Sequence, residues 1–203
     1  TQYNFANLGN IAAYRTNFPY CAGGIIRAEK DGYKDAWERV VTEANTETTL
    51  FLVPLFSFPL EKVTVVKHQL LPTGIDTARE LASDESAIIT LTYNKKEQPL
   101  NDPYHQSSAV WSKVLDPEVL KDEKLSFLGK ADFKYVVSID LLNENEFKGG
   151  YRGNWTVSWD QLQQAQEMIF HVVSDDNPSE QESLELLLGL GSGEIIAPVP
   201  EIK

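Results

Sequence analysis

The side chains best suited to acid–base chemistry or metal binding are three histidines, His68, His105 and His171. None lies at the i, i+4 spacing of a helical metal pair, and no HExxH motif is present. His68 falls in a predicted strand, where a partly buried structural role is expected. His171 falls near the end of a predicted helix, where the dipole favours imidazolium. His105 follows Tyr104 in a long polar segment, and because loops often carry function, both are candidate ligand- or partner-binding residues.

A cysteine nucleophile is the next type of site to consider, and Cys21 is the single cysteine of the chain. A thiol–histidine pair is conceivable beside the flexible Gly23-Gly24, but a small buried side chain at the start of a strand is the favoured interpretation. One cysteine can form neither an internal disulfide nor a cysteine-based zinc site. No GxSxG elbow or SxxK motif is present, so the sequence assigns no catalytic residue.

Residues 148–153, with the sequence KGGYRG, combine two cations, an aromatic ring and three glycines. Glycines let the backbone approach a ligand, while Lys148 and Arg152 supply charge and Tyr151 supplies a stacking face. Trp155 follows two residues later. A tight connection between two strands explains the glycines without a ligand and is the favoured interpretation. Lys148, Tyr151, Arg152 and Trp155 are nevertheless candidate ligand- or partner-binding residues.

Two further segments could bind ions but have unsuitable features. The glycines between 189 and 193 follow a predicted helix and run into Glu194, so both the helix dipole and the charge disfavour a phosphate. The acids between 175 and 180 offer the oxygen ligands that calcium prefers, but they lack EF-hand spacing and fit a solvated helix entry. The sequence therefore predicts no metal and no cofactor.

Charge is distributed unevenly along the chain. Between Gly153 and Ile202 there is no lysine or arginine, yet this segment contains nine acids. Residues 1–100 carry 12 acids and 10 bases, and residues 101–203 carry 18 acids and 8 bases, which gives −2 and −10 of the net −12. Such a surface disfavours direct nucleic-acid binding, which needs cations for the phosphates, and favours a basic partner.

The hydrophobic pattern predicts one domain spanning residues 1–203, with a more acidic part from about residue 153. Helical spacing or capping signals predict helices at residues 33–44, 76–82, from Asp116-Pro117 onward, at 159–173 and at 179–189. The last two begin at predicted capping boxes, Ser158 with Gln161 and Ser179 with Glu182. Apolar and β-branched runs predict strands at 22–28, 48–58, 63–70, 87–93, 133–142, 154–157 and 195–199. Residues 94–104 predict a long exposed loop.

No regular βαβ alternation is present in this order of elements. The predicted fold class is therefore α+β, a mixed, largely antiparallel sheet with about four to five helices packed against it. The longest apolar run, residues 50–60, is too short for a membrane span, which needs about 20 residues. The sequence predicts a soluble protein whose compartment stays open, with the cytoplasm slightly favoured.

Three kinds of function are compatible with these features. The favoured hypothesis is a non-catalytic interaction or assembly protein, a subunit of a larger complex or particle, whose protein partner is either itself or a basic protein. The first alternative is an acidic inhibitor or decoy that mimics nucleic acid towards a basic partner. The second alternative is an enzyme whose histidine and carboxylate groups are brought together by loops.

Overall fold

The computed structural model describes residues 6–8, 11–13, 21–42, 47–93, 105–113, 123–144, 146–175 and 178–203. Within these ranges the chain is mostly β and curls into a half-barrel. The segment 94–104, Tyr104 with it, and the helix predicted from Asp116-Pro117 lie outside the described residues.

Sixteen strands and two α-helices make up the described structure. The first eight strands are β1 (Ala6–Leu8), β2 (Ile11–Ala13), β3 (Cys21–Ala28), β4 (Tyr33–Lys34), β5 (Ala36–Thr42), β6 (Val53–Pro59), β7 (Val63–Leu71) and β8 (Gly74–Ile75). The others are β9 (Arg79–Glu80), β10 (Glu85–Tyr93), β11 (Gln106–Ser112), β12 (Lys124–Leu128), β13 (Phe133–Asn143), β14 (Glu146–Val157), β15 (Met168–Ser174) and β16 (Glu201–Ile202). The helices are α1 (Trp159–Gln164) and α2 (Glu180–Ser192).

The largest sheet has the strand order β11-β10-β13-β14-β15-β7-β8, with β16 added beside β15 and β9 beside β7. Its neighbours are antiparallel except β15 and β7, which run parallel with Val173 opposite His68. Successive side chains of a strand point to opposite faces of the sheet, so one face can be buried along the whole strand. In β10, every second side chain from Glu85 to Tyr93 is buried. The sheet is therefore built from segments that place one apolar face towards a core.

A three-stranded sheet, β12-β6-β4, covers part of this apolar face. Phe127 of β12 lies edge-on against Tyr135 and Trp155 of the large sheet. The Tyr135 hydroxyl accepts a hydrogen bond from the backbone N–H of Leu128 at 2.7 Å, so its buried polar atom is satisfied. The two sheets thus share one aromatic core.

The predicted α+β class with four to five helices is wrong, because the described residues are mostly β and contain only two α-helices. Residues 33–44 show the cause. Their apolar residues Tyr33, Trp37 and Val41 are spaced by four, which fits a helix but is also an even number and fits one face of a strand. In the structure Ala36 and Val40 of β5 are buried instead, and the strand pairs with β3.

Two other predicted helices also differ from the structure. Residues 76–82 contain β9, which pairs with β7, in place of a helix. The helix predicted for 159–173 ends at Gln164, since the apolar and β-branched run from Met168 to Ser174 forms β15. Ser158 makes no side-chain capping bond, and Asp132 accepts from the Trp159 N–H at 2.8 Å instead.

Several local predictions are confirmed. The strands predicted at 22–28, 63–70, 87–93 and 133–142 correspond to β3, β7, β10 and β13. The capping box of Ser179 and Glu182 is present at the start of α2, which ends at Gly193 in the left-handed conformation. The strand predicted for 195–199 is wrong, because the final strand is the short β16.

Candidate functional site

The KGGYRG segment is not a connection between two strands but the middle of the long strand β14. Tyr151 and Trp155 point into the core, where Trp155 lies edge-on against Phe127 and Phe170. Burial raises the pKa of the Tyr151 phenol above its ordinary value. Both rings thus contribute to packing, and their role in binding a partner stays a prediction.

The glycines of this segment allow close approach of neighbouring strands. A Cβ on Gly149 would lie 2.0 Å from the Val173 carbonyl oxygen of β15, and one on Gly150 would lie 2.1 Å from the Ile139 carbonyl oxygen of β13. Gly149 and Gly150 are also the residues through which β14 pairs with β15. The glycines therefore serve the sheet, and no ligand is needed to explain them.

The two cations of the segment have acceptors on their own sheet. Lys148 lies 3.0 Å from the Glu146 carboxylate. Arg152 pairs with Asp140 on β13 and donates to the Ile139 carbonyl oxygen at 2.7 Å. The Arg152 contacts hold β14 against β13, whereas Lys148 and Glu146 both lie on β14. Binding of a partner by Lys148 and Arg152 stays a prediction.

His105 lies immediately before β11. Its Nε2 is 3.1 Å from the Ser126 carbonyl oxygen, and its own carbonyl accepts from the Tyr93 N–H. The ring thereby joins the large sheet to β12. Its proposed role in binding a ligand or partner stays a prediction.

His68 and His171 form a buried pair between β7 and β15. His68 Nε2 lies 3.0 Å from His171 Nδ1, and His68 Nδ1 lies 2.9 Å from the Asp76 carbonyl oxygen. Because a carbonyl can only accept, neutral His68 donates from Nδ1 and must accept at Nε2. His171 then donates a hydrogen bond from Nδ1 to His68 Nε2. The Nε2 atom of His171 therefore carries no proton and presents a lone pair. The prediction that His171 ends a helix is wrong, since it lies within β15.

The lone pair of His171 has an unusual environment. His171 Nε2 is buried without a hydrogen-bond partner among the described residues, and it lies 3.4 Å from Glu201 Oε1 of β16. Burial and then the neighbouring His68 lower the pKa of His171, and Glu201 opposes this effect. Within the described residues no group of three histidine, cysteine or acidic side chains could hold a metal. His171 is thus a buried titratable group, and its contact with His68 joins β15 to β7.

Helix α2 lies in the acidic part of the chain and has two apolar faces. Its inner face carries Leu186 and Leu190, which are buried in the core. Ser183 Oγ is 3.4 Å from the Phe147 carbonyl oxygen of β14, and the chain folds back so that the Ile195 N–H donates to the Gly189 carbonyl. These contacts fix the orientation of the helix on the sheet.

The other face consists of Leu184, Leu187 and Leu188 and is called here the outer leucine face. Leu184 is 57% exposed and Leu188 is 63% exposed, although they lie on an ordered, capped helix. The spacings i, i+3 and i+4 place the three side chains side by side. Ile196 and Val199 beyond the helix are also exposed. Contiguous exposed apolar groups of this kind are typical of interaction sites.

Acids surround the outer leucine face. Glu180 and Glu185 are exposed on the same helix, and Glu194 follows its end. This site was missed at the sequence level because the helix was predicted from its capping box alone and the leucines were not considered. A signal was present, since leucines at 184, 186, 187, 188 and 190 occupy more of the helix circumference than one core-facing stripe requires.

Among the helices of the described ranges, none is both long enough and apolar enough to cross a membrane. Comparison of the chain with protein-family models, with curated proteins and with solved structures finds no match.

Proposed function

We propose that this chain is a non-catalytic interaction or assembly protein that docks a protein partner on the outer leucine face. The observation that supports this most strongly is the exposure of Leu184 and Leu188 on a helix whose other face is already buried. Burying a leucine side chain contributes about 1.5 to 3 kcal/mol, so a partner that covers these side chains gains substantial free energy.

Charge indicates the chemistry of that partner. Glu180, Glu185 and Glu194 are exposed around the apolar side chains, and no lysine or arginine occurs between Gly153 and Ile202. A partner surface that presents apolar side chains beside arginine or lysine is complementary to this surface, whereas a partner surface that presents acids at the contact is repelled. The same acids support the alternative of an acidic decoy for a basic protein, in which charge alone would provide the binding.

A capture experiment with paired variants tests the role of the outer leucine face. We expect Leu184→Gln/Leu188→Gln to weaken binding of a captured and then purified partner about tenfold or more, because buried apolar anchors dominate interface energies. Thermal unfolding should stay unchanged within a few degrees, since both leucines are exposed. Affinity is measured by calorimetric titration of the purified partner.

Val110→Thr/Val136→Thr is the matched control, since both valines are exposed on strands of the large sheet. This control should bind the partner as the wild type does. Equal affinity of the leucine variant and the wild type would contradict the proposal. Loss of binding only in a Glu180→Gln/Glu185→Gln variant would support the decoy alternative instead.

A further inference from the structure

The strands β3 and β5 form a separate two-stranded ribbon with an exposed face of its own. Register pairs Ile25 with Arg39 and Arg27 with Trp37, so these four side chains lie on one face, called here the ribbon face. Ile25 is 64% exposed and Trp37 is 37% exposed. The opposite face carries Ala36 and Val40, which are buried. The ribbon face is thus a second apolar surface on an ordered element.

We propose that the ribbon face of a second copy of this chain is the occupant of the outer leucine face. This inference rests on the proposed function and names its partner. Trp and Arg are among the residue types most enriched at the positions that contribute most of the binding energy of an interface. The ribbon face contains both residue types beside an isoleucine.

The dimensions of the two surfaces agree. Diagonal neighbours on a two-stranded ribbon, such as Ile25 and Trp37, lie about 7 to 8 Å apart. Leu184 and Leu188 are separated by one helical turn, a rise of about 6 Å. An isoleucine and a tryptophan on one copy can therefore contact successive turns of the outer leucine face on the other.

The charges are complementary as well. Arg27 and Arg39 are the charged residues of the ribbon face, and Glu180 and Glu185 are exposed on α2. Arg27 already pairs with Glu29 and Asp35 on its own copy, so Arg39 is the better-placed cation for the acids of the second copy. A contact between two α2 helices would instead bring like charges together.

Because the two surfaces differ, the contact either forms reciprocally between two copies related by a two-fold axis or joins successive copies head to tail, as a heterologous contact. Heterologous contacts form rings if the rotation closes and open filaments if it does not. The use of two different surfaces distinguishes the proposal from a contact between two identical surfaces and gives it a specific test.

The test uses two variants, each with one surface disabled. Ile25→Thr/Trp37→Thr removes the apolar groups of the ribbon face with residues that suit strands, and Leu184→Gln/Leu188→Gln removes those of α2 with residues that suit helices. Mass is measured by light scattering and sedimentation at about 10 to 500 μM protein and about 0.15 M salt, where long-range repulsion is screened and micromolar contacts are detected.

We expect the wild type to self-associate, as a reciprocal dimer, a ring or a filament, and each variant alone to self-associate at least tenfold more weakly and remain monomeric in this range. An equimolar mixture of the two variants should form a dimer and nothing larger, since only one working pair of surfaces remains. Circular dichroism and thermal unfolding verify that both variants are folded, and Val110→Thr/Val136→Thr should assemble as the wild type does.

Three results would overturn the proposal. These are a monomeric wild type, a ribbon variant that associates as strongly as the wild type, and a variant mixture that stays monomeric. A monomeric wild type that binds a foreign partner through Leu184 and Leu188 would remove this inference and leave the proposed function standing. If the wild type neither self-associated nor bound a foreign partner through Leu184 and Leu188, the proposed function would be contradicted as well.

Discussion

At the residue scale, the buried pair of His68 and His171 links stability to pH. Burial in the folded state lowers the pKa of His171, so its contribution to stability is fully present above the ordinary histidine value near 6.5, where it is neutral in both states. As pH falls below about 6.5, the unfolded chain takes up a proton before the folded chain does. We therefore expect this group's contribution to the free energy of unfolding to fall from about pH 6.5 down to the lowered pKa, and then to level off.

Chemical denaturation of the wild type and His171→Asn between pH 5 and 8 measures this contribution. Asparagine keeps a hydrogen-bond donor near the position of Nδ1 but does not titrate. The carboxylates contribute equally in both proteins, so the difference between their free energies of unfolding should change with pH only through His171. His105→Gln is the control, since it keeps a polar group near the Ser126 carbonyl. Parallel pH dependence of the wild type and His171→Asn would contradict a lowered pKa of His171 in the folded state.

At the element scale, the close approach of β14 to its neighbours depends on Gly149. A Cβ there would meet the Val173 carbonyl oxygen at 2.0 Å, and the residue has φ +156. Neither the backbone atoms of β15 nor those of β14 can move without breaking their pairing. We expect Gly149→Ala to lower the free energy of unfolding by about 3 kcal/mol, the upper part of the range for overpacking, as measured by urea denaturation.

Gly191→Ala is the matched control for this prediction. Gly191 lies in helix α2, and nothing is within 4 Å of its Cβ position. Alanine is favoured over glycine in a helix by about 0.8 to 1 kcal/mol, so this variant should be slightly more stable than the wild type. If Gly149→Ala were as stable as Gly191→Ala, the strands would have to be further apart than the structure shows.

The same elements show what a single sequence predicts and what it does not. The apolar and β-branched run of residues 87–93 and the capping box of Ser179 and Glu182 are local signals, and both the strand and the capping box are present in the structure. Trp37 and Val41 could not be assigned locally, because a spacing of four fits a helix and a strand alike. Val173, opposite His68 in the parallel pairing of β15 and β7, is 105 positions away along the chain, and no local pattern encodes that distance.

The outer leucine face and the ribbon face are likewise only partly predictable from the sequence. The leucines of α2 and the acids around them are visible in the sequence, but the inward direction of Leu186 and the outward direction of Leu184 depend on where β14 lies. The ribbon face was hidden by the helix predicted for residues 33–44. Tyr151 and Trp155 were candidates because their glycine-rich surroundings resemble a binding loop, while their burial is a property of the whole sheet.

At the scale of the whole molecule, the net charge of −12 opposes contact between copies. For a chain of this size two centres are about 40 Å apart in contact, and the repulsion is about 4 kcal/mol at 0.01 M salt but only about 0.1 kcal/mol at 0.15 M. An exposed Arg–Glu pair contributes about 0.2 to 1 kcal/mol, which is less than the repulsion at low salt. Long-range repulsion therefore decides how salt affects assembly.

Self-association should consequently become at least tenfold tighter between about 0.01 and 0.15 M salt, and it should persist at higher salt because the contact is apolar. Binding to a basic partner through charge should weaken over the same range, since screening removes an attraction. Sedimentation at a series of salt concentrations measures the self-association. The Leu184→Gln/Leu188→Gln variant should stay monomeric at every salt concentration. If self-association of the wild type weakened steadily as salt increased, charge pairing would be its main driving force, and the apolar contact between the ribbon face and the outer leucine face would be contradicted.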